Sequence, residues 1–190
     1  MRILGISGSL RAGSHNSRLL AAAARLLPAD VEYVRFDDLK ALPPFDEDDE
    51  QDPGAAVQHL RSEIAGADGL LFATPEYNSS IPGQLKNAID WASRPFDQTV
   101  MRNKNAAVIG ASTSMFGAVW SQAELRKVLG AAGARVLDRE LPISYAQESF
   151  DTDARLVEPE LQATLEAIVG ELLEQVRITL GNRTGAAREA

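Results

Sequence analysis

The chain has 190 residues, 45% of them hydrophobic, with no cysteine, two histidines and a formal net charge of −8. That size and apolar content suit one domain with a substantial core. The missing cysteines exclude disulfides, thiolate catalysis, iron–sulfur clusters and cysteine-based zinc sites, and the acidity argues against a nucleic-acid or anionic-membrane partner.

Apolar runs alternate with helical patterns along the chain. Residues 3–7 read as a strand. A small polar loop follows, and then a helix over 17–27 that Pro28 ends. Residues 31–36 are strand-like. The stretch 43–53 breaks the pattern with six acids in the seven positions 46–52, which read as a solvated loop. A helix is expected over 54–65 and a strand of continuous apolar character over 69–74. A loop over 75–81 leads into a helix over 82–93 with proline in its first turn. Residues 106–111 give a strand, 112–117 a loop of small residues and 118–129 a helix. Residues 135–137 with 141–143 offer a last short strand. From 159 to 180 the apolar residues recur at helical spacing, and 181–190 read as a frayed tail.

Strands apolar on both faces, alternating with helices, predict a parallel sheet covered on both sides. The expected architecture is a single α/β domain over 1–180: a doubly wound five-stranded sheet in the flavodoxin-like order 2-1-3-4-5. Ligands bind such sheets beyond the carboxyl ends of the strands. The loops 8–16, 75–81 and 112–117 leave those ends and should share one rim. With no signal-like leader and no apolar run of transmembrane length, a soluble cytoplasmic protein is expected.

The first loop carries Ser7, Gly8, Ser9, Arg11, Gly13, Ser14, Asn16 and Ser17 between a strand and a helix start. That arrangement presents hydroxyls and backbone N–H groups to a phosphate. Its two glycines have P-loop separation, but Ser14 and His15 stand where the lysine and hydroxyl pair would be. No acid ends the 69–74 strand to hold magnesium, so nucleotide hydrolysis is disfavoured. The G-x-G-x-x-G fingerprint is absent, and Gly5-Ile6-Ser7-Gly8-Ser9 fails the nucleophile elbow at its last position. A phosphomonoester held without metal remains, with Arg11 adding a charge-assisted bond. The loop alone equally supports a plain capping turn with Ser14 or Asn16 as N-cap. His15 reads as a solvent-facing loop residue.

In the second loop, Pro75 and Pro82 stiffen the backbone. Tyr77 could wall a flat ring and Asn78 could meet its polar edge. The helix that follows, with Trp91, reads as core packing. The third loop is small enough for close approach to a ring.

Taken together, the three loops resemble the NADPH-dependent FMN reductase family, which includes flavin, quinone and chromate reductases. The matching pieces are Gly8-Ser9-Leu10-Arg11 with Ser14, Asn16 and Ser17; Pro75-Glu76-Tyr77-Asn78 with Ser80, Pro82, Gly83, Lys86, Asn87, Asp90 and Trp91; and Gly110-Ala111-Ser112 with Gly117, Gln122, Leu125 and Arg126. The resemblance implies bound FMN, with Ser9, Arg11, Asn16 and Ser17 holding its phosphate and Pro75, Glu76, Tyr77 and Asn78 flanking its ring with Ser112 nearby. Ser14, Ser80 and Gly117 are expected among the cofactor-binding residues as well. It further implies NADPH or NADH as co-substrate, a small-molecule acceptor, ping-pong hydride transfer and a homodimer or homotetramer. The sequence departs from many relatives at Ser114, where a glycine is common, and at Trp120, where an arginine is common. A non-catalytic FMN electron carrier of flavodoxin type is the alternative expectation.

Overall fold

The computed structural model describes residues 1–186. Its strands are β1 (Arg2–Ser7), β2 (Glu32–Phe36), β3 (Gly69–Thr74), β4 (Asn105–Ala111), β5 (Arg135–Val136) and β6 (Pro142–Ile143). The helices are α1 (His15–Ala24), α2 (Gly54–Gly66), α3 (Gly83–Ala92), α4 (Val119–Ala131) and α5 (Pro159–Ala186). The strands form one sheet in the order β2-β1-β3-β4-β5, and every pairing is parallel.

Successive side chains on the central strands point to opposite faces, and the core divides accordingly. Ile3, Leu71, Ala107 and Ile109 pack against α1 and α5 on one face. Leu4, Ile6, Leu70, Phe72 and Val108 pack against α2, α3 and α4 on the other. β3 and β4 are buried at every position, which is why they read as unbroken apolar runs.

The expected fifth strand is divided in two. β5 pairs with the start of β4 at Asn105–Ala106, and β6 pairs with its end at Gly110–Ala111. Between them Asp138, Arg139 and Glu140 are exposed. The amide side chain of buried Gln122 spans the gap, its Oε1 accepting from the Leu141 N–H at 2.9 Å and its Nε2 donating to the Gly117 carbonyl at 3.2 Å. The chain loops out between the two short edge strands, and Gln122 takes up the Leu141 N–H there while tying it to the third loop at Gly117.

Two helix ends also differ from expectation. α1 starts at His15 because Ser14 is its N-cap, the Ser14 Oγ accepting from the Ser17 N–H at 3.2 Å. It stops at Ala24, since Pro28 disfavours helical geometry at Leu27. α5 runs on to Ala186 rather than fraying from Gly181. A single glycine costs a helix only about 1 kcal/mol, and no proline follows to end it. Positions 187–190 of the expected tail lie outside the described residues.

The acidic 46–52 stretch is a series of turns, exposed except at the partly covered Glu50. Polar side chains of α3 hold the segment before it. Gln84 donates to the Leu39 and Leu42 carbonyls, and Asn87 bonds both the Phe45 N–H and the Pro43 carbonyl. Trp91 is fully buried and donates to that same carbonyl at 2.9 Å.

Candidate functional site

Parallel pairing brings the carboxyl ends of β1, β3 and β4 to one rim. The loops leaving them line a common cavity of about 170 Å³. Ser9, Arg11, His15 and Asn16 come from the first loop, Pro75, Glu76 and Tyr77 from the second, and Ala111, Ser112 and Thr113 from the third. Small organic ligands usually occupy roughly 300–1,000 Å³, so this cavity alone takes only part of one. An adjoining cavity of about 260 Å³ shares Ser9 and Arg11 and reaches Ser7, Ser17, Arg35 and Lys40. An elongated anion therefore has room on both sides of the first loop. A larger cavity, about 520 Å³, lies beside α1, residues 151–157 and α5. None of the three loops lines it, so volume is a poor guide here.

The loops are locked to one another. The Gly8 N–H donates to the Ala73 carbonyl at 2.8 Å. A methyl group at position 8 would come within 2.8 Å of the end of the Leu85 side chain and 3.3 Å of Pro75, so a larger residue there would make Leu85 shift. Asn16 is buried and clamps the first loop to the third, Nδ2 donating to the Ala111 carbonyl at 2.9 Å and Oδ1 accepting the Ala111 N–H at 3.0 Å. Thr74, Pro75 and Glu76 are tied to the first turn of α4. The Ser121 Oγ donates to the Pro75 carbonyl at 2.9 Å, and the Ser121 N–H donates to Glu76 Oε2 at 3.1 Å. Glu76 thereby satisfies one of the free donors that a helix start leaves open.

The residues expected to bind phosphate divide by role. Ser9 and Arg11 face both cavities. Ser17 lines the adjoining one, its Oγ donating to the Ser7 Oγ at 3.3 Å. Ser14 is buried as the α1 cap and lines neither of the two cavities. Asn16 borders the first cavity, but its oxygen and one N–H are engaged with Ala111.

Around the expected ring site, Pro75, Glu76, Tyr77 and Ser112 border the cavity. Asn78 and Ser79 do not. They form the tip of a tight turn with φ of 53° and 59°, closed by reciprocal backbone bonds between Tyr77 and Ser80. The Ser80 hydroxyl is directed to Glu124 at 2.6 Å. Gly117 shapes the rim instead of facing the cavity. Its φ is +58°, and a Cβ there would come within 2.5 Å of the Pro142 carbonyl carbon.

His15, Ala111 and Thr113 also line the cavity, although their types gave no clear sign of it. For His15 the available signal is its place immediately after a serine N-cap, which puts it at a helix N-terminus. Its Nδ1 is buried with no hydrogen-bond partner. Burial, then the charges of Arg11 and Arg18, hold the imidazole below its ordinary value, so it is neutral near pH 7.

Hydroxyls and a guanidinium therefore gather at the start of α1, with His15 beside them. The one carboxylate lining the cavity is engaged with α4. That donor set fits the phosphate of FMN.

Residues 1–148 match the profile of the NADPH-dependent FMN reductase family. Over 168 residues the chain is 42% identical to an NAD(P)H-dependent FMN reductase of Pseudomonas aeruginosa, covering 87% of this chain and 90% of that one. It is 34% identical over 175 residues to a quinone reductase of Escherichia coli, covering 90% and 92%. Among solved structures, the flavoenzyme NAD(P)H:(acceptor) oxidoreductase FerB from Paracoccus denitrificans superposes with a TM-score of 0.82 at 32% identity, covering 93% and 97%.

Proposed function

The chain belongs to the NADPH-dependent FMN reductase family, and on that premise we propose that it passes hydride from NAD(P)H through bound FMN to a flavin, quinone or metal-oxyanion acceptor by ping-pong turnover. The observation that carries this is the convergence of three strand-end loops on one cavity, with donors gathered at its α1 end. When bound, FMN would supply the two-electron hydride chemistry.

The chain's own residues bind and orient. Arg11 and the hydroxyls of Ser9 and Ser17 hold the phosphate at the N-terminus of α1. Asn16 fixes the distance between the phosphate loop and the Ser112 loop. Pro75 and Glu76, anchored on Ser121, keep the second loop's backbone in place along the ring. Tyr77 provides an exposed aromatic edge beside the cavity. Hydride transfer depends on holding the donor carbon at contact distance, and a rim fixed by three mutual ties suits that task.

In ping-pong order, donor and acceptor would use the same open side of this rim in turn. No helix among the described residues is long and apolar enough to cross a membrane, and we place the enzyme in the cytoplasm. We also propose a homodimer or homotetramer. Met115, Phe116, Trp120 and Tyr145 are exposed beside the site, with the Phe116 and Trp120 rings 4.7 Å apart, and such a patch is an association surface.

Steady-state rates across FMN, benzoquinone and chromate, with NADPH and NADH in turn, test the function. Continued turnover with parallel double-reciprocal lines is expected. Oxidation of NADPH that stops after one equivalent per bound flavin would indicate a carrier instead.

A further inference from the structure

On the reading that the cavity binds FMN, we propose that Glu124, which lies outside it, is a positioning residue for the flavin ring: through Ser80 it holds Tyr77 at the cavity wall. Tyr77 brings the largest flat ring to that wall. It is 54% exposed, so core packing does not fix where the ring stands.

The turn fixes it instead. Tyr77 and Ser80 exchange two backbone bonds, each of 3.1 Å, across a tip at Asn78 and Ser79 that is left-handed at both residues. Residues other than glycine adopt that backbone at a cost, so the turn keeps its shape only while its surroundings enforce it. The two backbone bonds hold Tyr77 to Ser80, but they hold neither to the body of the protein. Glu76 anchors the entry through the Ser121 N–H, and buried Ile81 anchors the exit. Between them, the Ser80 Oγ donates to Glu124 Oε2 at 2.6 Å. Among the described residues this is the one side-chain hydrogen bond made by positions 77–80.

Glu124 follows Ser121 by three positions on α4, so both face the second loop. Its carboxylate enters none of the ion pairs among the described residues, and the short bond is that of a hydroxyl donating to a charged acceptor. Removing the acceptor frees Ser80, the tip relaxes, and Tyr77 leaves the wall. The loss falls on the ring end of the ligand, because Ser9, Arg11 and Ser17 belong to the first loop.

The test is fluorescence titration of FMN, and of riboflavin as the phosphate-free flavin, into full-length apoprotein. Glu124→Ala should weaken both flavins by the same factor, roughly three- to tenfold, the scale of one side-chain hydrogen bond. Glu124→Gln keeps an amide oxygen that accepts from Ser80 and should restore most of the affinity. Ser80→Ala should match Glu124→Ala, and the double variant should lose no more than either. In a Tyr77→Ala background, adding Glu124→Ala should change nothing further. Unchanged affinity in Glu124→Ala, a loss confined to FMN, a Glu124→Gln as weak as Glu124→Ala, or additive losses in the double variant would overturn the proposal while flavin binding stands. Failure of wild type to bind FMN overturns the cofactor assignment and the proposal together.

Discussion

At the residue scale, Tyr33 and Gly5 form a pair in which each dictates the other. The phenol of Tyr33 on β2 lies directly over Gly5 on β1, where any Cβ would collide with it. Its oxygen is buried with no hydrogen-bond partner, and burial pushes the phenol up to about 12. The folded state therefore favours the neutral form. That contribution is complete below the ordinary value near 10 and is lost as pH rises from there toward 12. Tyr33→Phe should be neutral or stabilising by about 1 kcal/mol at pH 7, because it removes an unsatisfied polar atom, and should escape the alkaline loss. Urea midpoints at pH 7 and pH 11 measure both effects. A variant destabilised at pH 7 would mean that the oxygen has a partner. Residue type told more about chemistry than about role in this chain. Ser9 and Arg11 have the donors a phosphate needs and face the cavity. Ser14, Asn16 and Ser80 carry equally suitable groups, yet they cap α1, clamp Ala111 and bond Glu124. The cap at Ser14 is local and the sequence offered it, but the partners of Asn16 and Ser80 lie 95 and 44 positions away, so local sequence could not reveal them.

At the scale of elements, the start of α4 sets the third loop. Gly117 and Ala118 both take left-handed backbone, with φ of 58° and 62°, and Gly117 abuts the Pro142–Ile143 backbone of β6. Gly117→Ala should cost about 2–4 kcal/mol, from backbone strain together with overpacking, read as a lowered urea midpoint at unchanged slope. An unchanged midpoint would show that the rim yields easily there. Helices and strands were legible because hydrophobic period distinguishes them, and β3 matched residue for residue. The division of the last strand was hidden, because it depends on Gln122 reaching across from α4 to Leu141. The start of α1 was misplaced by two residues because Ser14 and Asn16 both read as N-caps by type. Only the Ser14 Oγ meets a helix N–H, that of Ser17.

For the whole molecule, apolar strands alternating with helices give a parallel sheet, and its order β2-β1-β3-β4-β5 brings the three loops together. The exposed aromatic patch proposed for association is less legible, because an exposed aromatic is not marked as such in sequence. Trp91 and Trp120 look alike there, yet the first is fully buried and the second 45% exposed. Trp120→Glu should shift the protein from dimer or tetramer toward monomer in sedimentation velocity while leaving the fold intact. A monomeric wild type would remove the basis for an assembly. The central claim is that the rim holds FMN by its phosphate, with Arg11 as the principal charge. Titration of FMN into wild-type and Arg11→Ala apoprotein, followed by flavin fluorescence, tests it most directly. One FMN per chain is expected, with affinity weakened by about 1.5–3 kcal/mol in the variant, the scale of a hydrogen bond to a charged group. An unchanged dissociation constant in Arg11→Ala, or no stoichiometric binding by wild type, would contradict it.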